Sequence, residues 1–162
     1  MATENTHIVD RAYGGFRFRL FVAGSGETSF DTGTMSINQA FVKVSGVATE
    51  SEIVEYMQGT DSSVCTSPGR VKYSNIVLDR VFKGTDDLYK WRRRIESGSA
   101  DRRNVKIEML SLDNQLIRSM ILREAWPCKW NLPDLDAGDS SPAIETIELS
   151  VVEVYEETGT TE

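Results

Sequence analysis

The chain has 162 residues, of which 40% are hydrophobic and 27% are charged, and its 18 Lys and Arg residues against 25 Asp and Glu residues give a formal net charge of −7 at pH 7. This apolar content excludes a disordered chain and is sufficient for the core of one ordinary domain. The acidic excess argues against a general nucleic-acid binder, which needs a basic surface. We therefore expect no specific nucleic-acid recognition.

Strand-like alternation dominates the first half of the chain. Phe16, Phe18, Leu20 and Val22 share one face of the first predicted strand. Further along the chain, Ser67-Pro68-Gly69 predicts a turn. The other predicted segments are a loop over 24–38, a strand over 40–45 that Gly46 ends, a strand over 53–57, a turn-rich stretch over 59–70 and strands over 71–73 and 75–82.

One segment has the period of a helix. Leu88, Trp91 and Ile95 are spaced as one helical face. Thr85 is expected to cap the first turn and Gly98 to end the helix. Trp91 is expected to anchor this helix on the sheet, while the neighbouring arginines point to solvent.

Strand periodicity then returns. The segments 105–109 and 116–127 predict a hairpin that turns at Asp113-Asn114. Pro127 lacks a backbone donor, so it is expected at a strand end or edge. A loop over 131–142, a long strand or bent pair of strands over 144–155 and a flexible tail over 158–162 complete the chain. The pattern predicts a single mainly β domain over 1–157, an antiparallel β-barrel or sandwich with one peripheral α-helix.

The residues that enzymes need are sparse in this sequence. The only histidine is His7, in a polar N-terminal segment, and no phosphate-binding glycine motif is present. Asp134, Asp136 and Asp139 could hold a hard cation, but they lack the spacing of a calcium loop, and a solvated acidic loop is the preferred interpretation. We expect no enzyme activity and no catalytic, cofactor or metal site.

Cysteine content and hydropathy help to predict the cellular compartment of the chain. Cys65 and Cys128 are too few for a disulfide scaffold and are not spaced as zinc ligands, so buried or idle thiols are expected. No apolar run approaches the roughly 20 residues of a membrane-spanning helix, so membrane insertion by this chain is not expected. The first ten residues show neither the basic nor the apolar part of a secretory signal, which predicts synthesis in the cytoplasm without a signal peptide.

Charge is segregated along the chain. Residues 83–106 carry eight Lys and Arg against four acids, whereas residues 130–162 carry nine acids and no Lys or Arg. Two unlike patches can mediate a head-to-tail contact between copies. They can equally lie side by side in one fold and neutralise each other. The sequence leaves both interpretations open.

Against this background, the order of nine short segments resembles the tail tube proteins of contractile phage tails and related contractile injection systems. The resemblance covers most of the chain, from about Phe16 to Tyr155. The segments are Phe16–Val22, Ala40–Gly46, Glu55–Gly59, Ser67–Tyr73, Ile76–Arg80, Asp86–Trp91, Ala125–Trp130, Asp134–Ala137 and Ile144–Leu149.

The resemblance implies a structural subunit that forms hexameric rings stacked into a hollow tube, with a sheath, a spike or baseplate and other tube proteins as partners. It implies that a long hairpin reaches the adjacent ring and that Arg92, Arg93 and Arg94, on an outer helix, contact partners. The residues it places at the ring–ring contact are Glu55, Tyr56, Gly59, Pro68, Gly69 and Arg70.

Two features depart from the family pattern, namely a long loop over 24–38 and the acidic tail beyond Glu153. Either could mark a tube-initiating paralogue next to the spike rather than the repeated ring subunit. Glu145 is expected to be structural and to pair with an internal donor. The alternative function is a small soluble β-barrel that binds an apolar ligand in its interior.

Overall fold

The computed structural model describes residues 17–30, 41–60, 62–138 and 140–157. Within these residues the chain is mainly β with one helix, as the sequence predicts. In chain order the elements are β1 (Arg17–Val22), β2 (Phe41–Ser45), β3 (Thr49–Tyr56), β4 (Cys65–Tyr73), β5 (Ile76–Val81), α1 (Asp87–Glu96), β6 (Arg103–Leu110), β7 (Leu116–Asn131), β8 (Ile144–Ser150) and β9 (Glu153–Glu156).

The long strand β7 belongs to two sheets. Its first part pairs with β6 on one side and with β9 on the other, whereas its last part pairs with β8. The first sheet therefore has the order β1-β6-β7-β9, and the second sheet has the order β7-β8-β5-β2. All of these pairs are antiparallel. A separate two-stranded sheet, which we call the ribbon, consists of β3 and β4.

The core lies between the two sheets. Alternate residues of each strand point inward, because successive side chains of a strand lie on opposite faces. In β1 these are Leu20 and Val22, on the predicted face. The other fully buried aliphatic side chains include Ile76, Leu78, Val105, Ile107, Leu122, Ile147 and Leu149.

Helix α1 closes one side of this core. Leu88 and Trp91 are each 2% exposed, and the Trp91 Nε1–H donates to the carbonyl oxygen of Asp101 over 2.9 Å. Trp91 thus anchors the helix as expected. The helix ends before Gly98, whose φ of +88° suits the left-handed conformation after a helix.

The predicted cap at Thr85 is wrong. The N-cap residue is Asp86, and no side chain caps the helix there. The acidic residue that opens α1, Asp87, binds Arg80 of β5 instead. The start of α1 is therefore fixed by a tertiary ion pair, which sequence spacing does not reveal.

Pro127 lies inside β7, but at an edge of the second sheet as expected, because in the described residues this part of β7 pairs with β8 alone. The register shifts between Pro127 and Lys129, so that Cys128 is the extra residue of a bulge opposite β8. The Cys128 Sγ–H donates to the carbonyl oxygen of Glu148 over 3.3 Å. A bulge tolerates a missing backbone donor, which explains how a 16-residue strand contains a proline.

The predicted turn at Ser67-Pro68-Gly69 is also wrong, because these residues lie within β4. Ser51 pairs with Val71 and Ile53 pairs with Pro68, so Gly69 and Arg70 together oppose one residue, Glu52. This bulge again accommodates the proline. A Cβ atom on Gly69 would lie 3.0 Å from the Glu52 carbonyl oxygen, so the bulge needs glycine's small size.

Several predictions fall outside the described residues, namely those for Phe16, His7, Asp139, most of the 24–38 loop and the 158–162 tail. The loop predicted over 131–142 and the bent pair of strands after it are confirmed within the described part of the chain. No helix in that part is long and apolar enough to cross a membrane. In the same part of the chain, no group of three or more His, Cys, Asp or Glu residues could hold a metal ion.

Candidate assembly surface

The ribbon leaves the second sheet between β2 and β5: the chain passes from β2 into β3, and β4 leads back into β5. Gly46 and Asn75 meet where it begins. Gly46 has a φ of +85°, and a Cβ atom there would lie 2.2 Å from the carbonyl oxygen of Asn75. The Ser74 N–H donates to the Ala48 carbonyl oxygen over 3.1 Å. These contacts fix the direction in which the ribbon leaves the fold.

Every residue of β3 is exposed, although the ribbon carries large apolar side chains. Opposed residues of an antiparallel pair share a face, so Ile53, Pro68 and Val71 lie on one face, with Ser51 and Glu55. Ile53 is 71% exposed and Val71 is 55% exposed. We call this the apolar face of the ribbon. A two-stranded ribbon is marginally stable by itself, and an exposed apolar face of this kind is typical of surfaces that contact another molecule.

The sequence places six residues at the ring–ring contact, and the structure brings all of them to the ribbon. Glu55 and Pro68 lie on its apolar face, whereas Tyr56 lies on the opposite face beside Cys65. Gly59 lies in the turn beyond β3, with a φ of +50°. Gly69 and Arg70 form the bulge. Ile53 and Val71 also lie on the ribbon although they are not among the six, and their apolar character in strands flanked by charges is the sequence signal for them.

The arginines of α1 differ from one another, so the expectation that all three point to solvent is only partly right. Arg93 is exposed and pairs with Glu96 over 2.9 Å. Arg92 is a quarter exposed and donates to the carbonyl oxygen of Pro127 over 2.8 Å. Arg94 pairs with the buried carboxylate of Asp101 over 3.2 Å. Only Arg93 of the three is free of contacts that hold α1 to the sheets.

A buried ion-pair network joins α1 to the second sheet. The Arg80 Nη2 lies 2.7 Å from the Glu145 Oε2 and 2.9 Å from the Asp87 Oδ1. The Trp130 Nε1–H donates to the other oxygen of Glu145 over 2.7 Å. Glu145 therefore pairs with internal donors, as predicted. Burial opposes the ionisation of Asp87, but the hydrogen bonds and charge of Arg80 outweigh it and lower the pKa of the Asp87 carboxyl.

Part of the acidic C-terminal region is neutralised within the fold. Glu153 pairs with Arg123 over 3.1 Å, Glu156 with Arg118 over 3.0 Å and Glu157 with Lys106 over 2.6 Å. The bond from Lys106, chiefly, lowers the pKa of Glu157. Of these three basic partners, Lys106 alone belongs to the 83–106 segment. The two charge-rich segments thus meet at few points, and most of these carboxylates pair with β7.

The two cysteines are free and half-buried. Burial, together with the charge of Glu148, raises the pKa of the Cys128 thiol. A raised pKa favours the unreactive thiol form. Cys128 is thus part of the β7 bulge, where it donates to the Glu148 carbonyl oxygen.

The sequence matches the family of the T4-like virus tail tube protein gp19 over residues 15–154. A comparison with curated proteins gave no significant match. Several solved structures resemble the fold. A chain from the baseplate of the anti-feeding prophage is 22% identical with a TM-score of 0.75, covering 91% of this chain and 96% of that chain.

Two further structures show the same fold. A chain from the sheath/tube terminator of the extracellular contractile injection system PVC is 24% identical with a TM-score of 0.74, covering 93% of this chain and 99% of that one. Hcp1 from Flavobacterium johnsoniae is 14% identical with a TM-score of 0.51, covering 85% and 94% of the two chains. The family match covers most of the sequence, and the fold agrees with it: the chain belongs to the T4-like virus tail tube protein family, whose members are structural proteins and not enzymes.

Proposed function

We propose that this chain is an inner tube subunit, or a tube-initiating paralogue next to the spike, of a contractile injection system or contractile phage tail. It forms hexameric rings that stack around a channel and meet sheath, baseplate or spike, and further tube proteins. Family membership and the similarity to chains of baseplate and sheath–tube complexes support this proposal. The observation that carries it is the uncovered apolar face of the ribbon, which contacts a copy in the adjacent ring.

The ribbon suits such a contact for two reasons. Its base is held by the close approach of Gly46 to Asn75, which sets the direction in which it leaves the second sheet. Its strands expose apolar side chains that the body of the same chain does not cover. Covering them with a sister chain removes apolar surface from water.

The first experiment measures assembly. Light scattering after size exclusion and negative-stain microscopy should show rings or tubes at high protein concentration. The variant Ile53→Lys places a charge on the apolar face and should abolish stacking while the thermal midpoint of the protomer stays unchanged, because Ile53 lies outside the core. Leu112→Lys, the same apolar-to-lysine change at a side chain 68% exposed in the turn between β6 and β7, is the matched control and should stack better than Ile53→Lys.

Stacking by Ile53→Lys as efficient as that of the unmodified chain would contradict the assigned role of the ribbon. A chain that stays monomeric alone and with sheath and baseplate partners would contradict the proposed function itself. We also assign a sheath or partner contact to the exposed side of α1. Arg93 is the residue best placed for it, because Arg92 and Arg94 bind within the fold.

A further inference from the structure

Strand β7 bends where it passes from the first sheet into the second, and β8 and β9 follow the bend. They pair with one edge of β7 in a continuous register, in which Arg123 lies opposite Glu153 of β9 and Trp126 lies opposite Ser150 of β8. We call residues 123–126 the corner. Because β7 is the strand that the two sheets share, the backbone of the corner sets the angle between them.

The backbone of the corner is strained at Glu124. The register with β6 shifts here, so that Arg123 and Glu124 together oppose one residue, Asn104, in a β-bulge. Glu124 has a φ of +50°, in the left-handed region that side chains with a Cβ atom disfavour. At every other such position in the described part of the chain the sequence has glycine or asparagine, which adopt this conformation more readily. A strained residue of this kind persists where its surroundings hold it.

The side chain of Asn104 makes the contact that holds Glu124. Its Oδ1 accepts a hydrogen bond from the Glu124 N–H over 3.0 Å. Its Nδ2 donates to the Glu27 carbonyl oxygen over 3.1 Å, and its backbone carbonyl oxygen accepts from the Ala23 N–H over 2.9 Å. We call residues 23–28, which follow β1, the strap. One residue of β6 therefore binds the corner on one side and the strap on the other.

Two other contacts at the corner are less direct. The Glu124 carboxylate lies 3.6 Å from an Arg102 nitrogen, and both side chains are about half exposed, so this ion pair contributes little. The Val152 N–H donates to the Arg123 carbonyl oxygen over 3.1 Å, which restrains the residue before Glu124. The bond from the Glu124 N–H to Asn104 thus acts on the backbone of the strained residue itself.

The angle at the corner matters for contacts between copies of the chain. The ribbon leaves the second sheet, whereas β1 and the strap belong to the first, so a change at the corner turns one set of surfaces relative to the other. A symmetric assembly repeats the same contacts between identical chains, and each contact requires the same orientation of these surfaces. A loosely held corner would weaken all of the contacts at once.

We infer that Asn104 is a positioning residue for assembly: its side-chain amide holds Glu124 in the left-handed conformation and so fixes the angle at which β7 enters the second sheet. The same amide ties the strap to the corner through Glu27. The effect on stacking rests on the proposed function, whereas the effect on the corner and the strap is a property of the single chain.

Three variants separate the two bonds of the amide. Asn104→Asp keeps an oxygen acceptor for the Glu124 N–H but loses the donor to Glu27, so it releases the strap alone. Asn104→Ala loses both bonds. Adding Glu124→Gly to Asn104→Ala restores the corner without the amide, because glycine adopts the left-handed conformation readily. Asn114→Ala is the matched control, since it makes the same substitution at a left-handed residue in the turn between β6 and β7.

Hydrogen exchange followed by mass spectrometry measures the strap and the corner, and negative-stain microscopy measures stacking. Asn104→Asp should exchange faster at 24–28 alone and should stack like the unmodified chain. Asn104→Ala should exchange faster at both 24–28 and 122–126, lose about 2–4 °C or more of its thermal midpoint and largely lose stacking. The double variant should regain slow exchange at 122–126 and regain stacking, while 24–28 still exchanges fast. Asn114→Ala should stack despite a lower midpoint.

Several results would overturn the inference and leave the proposed function standing. These are an Asn104→Ala chain that stacks like the unmodified one or keeps slow exchange at 122–126, a double variant that regains a slow corner but does not stack, and an Asn114→Ala chain that stacks as poorly as Asn104→Ala. If Asn104→Ala does not fold, Glu124→Gly alone decides: its midpoint should rise, and an unchanged or lower midpoint would show that the corner is not strained.

The unmodified chain separates the two proposals. If it forms no rings or tubes, alone or with partners, that result counts against the proposed function, and the role of Asn104 in stacking falls with it. The exchange rates at 24–28 and 122–126 still decide whether Asn104 joins the strap to the corner, because they are measured on the single chain.

Discussion

Arg80 connects three elements of the fold through one buried guanidinium group. Glu145 of β8 is 1% exposed, and in the described part of the chain Arg80 and Trp130 compensate its burial. Removing one partner of such a pair leaves an uncompensated buried charge, which typically costs about 3–5 kcal/mol. The position of α1 therefore depends on the network, because Asp87 shares the same guanidinium.

We predict that Arg80→Met lowers the free energy of unfolding by about 3–5 kcal/mol, as measured by urea denaturation, because it leaves the buried carboxylate of Glu145 without its cation. The double variant Arg80→Met with Glu145→Leu should be more stable than Arg80→Met, because it also removes that carboxylate and leaves Asp87 as the single variant does. It should remain less stable than the unmodified chain, since the Trp130 N–H loses its acceptor and Asp87 loses Arg80. A double variant less stable than Arg80→Met would mean that the buried carboxylate of Glu145 costs no stability without Arg80.

Gly46 is needed for a different reason, the close approach of backbone at the base of the ribbon. Gly46 and Gly98 have nearly equal φ angles, +85° and +88°, but only Gly46 has an atom within reach of an added Cβ, the Asn75 oxygen at 2.2 Å. Gly98→Ala should thus cost only the left-handed conformation, about 1–2 kcal/mol. Gly46→Ala should cost more and also impair stacking. Equal thermal midpoints for the two variants would show that the backbone at the base of the ribbon moves away from the added methyl group at no cost in stability.

At the scale of elements, the attachment of α1 depends on two carboxylates at its ends. Burial opposes ionisation of Asp101 as it does for Asp87, yet Arg103 and Arg94 lower the pKa of Asp101. A lowered folded-state pKa means that the stabilisation is complete above the ordinary value of about 4 and is lost as the pH falls through the folded-state value. The helix attachment should therefore weaken in acid.

We predict that the near-ultraviolet circular dichroism of the tryptophans falls, and that the urea midpoint drops, as the pH is lowered below about 4. Asp87→Asn should be less stable at neutral pH and should show a shallower pH dependence, because one of the titrating groups is gone. Asp134→Asn, in the exposed loop after β7, should retain the full pH dependence. A pH profile of Asp87→Asn as steep as that of the parent would assign the acid effect to other groups.

The elements also show what sequence could and could not reveal. Alternation predicted β1 and the β6–β7 hairpin, and helical spacing predicted α1, because in each case one face is buried against the core. The wrong turn at Pro68 and the unforeseen bulge at Pro127 share a cause. Pro68 and Pro127 both sit at bulges, and a bulge depends on the register of the partner strand, which lies far away in sequence. The buried Arg80 network was hidden for the same reason, since 65 residues separate Arg80 from Glu145.

At the scale of the whole molecule, surface charge bears on assembly. Reversing all three arginines of α1 would confuse assembly with folding, because Arg94 compensates the buried Asp101 and Arg92 binds the Pro127 carbonyl. Arg93 is the useful probe, since its ion pair with Glu96 is exposed and such pairs contribute little to stability. Of the three arginines, Arg93 is therefore the one whose charge reversal tests the partner contact.

We predict that Arg93→Glu weakens sheath or partner binding at low salt while the thermal midpoint of the protomer changes little. The loss should shrink at high ionic strength, where exposed charges are screened over about 3 Å at 1 M salt. Arg94→Glu, the neighbouring reversal, should lower the midpoint clearly, because it brings a second carboxylate beside Asp101, whose side chain is 4% exposed. If Arg93→Glu binds as well as the parent at low salt, α1 is not part of the partner contact. If the thermal midpoint of Arg94→Glu is unchanged, Arg103 alone suffices to hold Asp101.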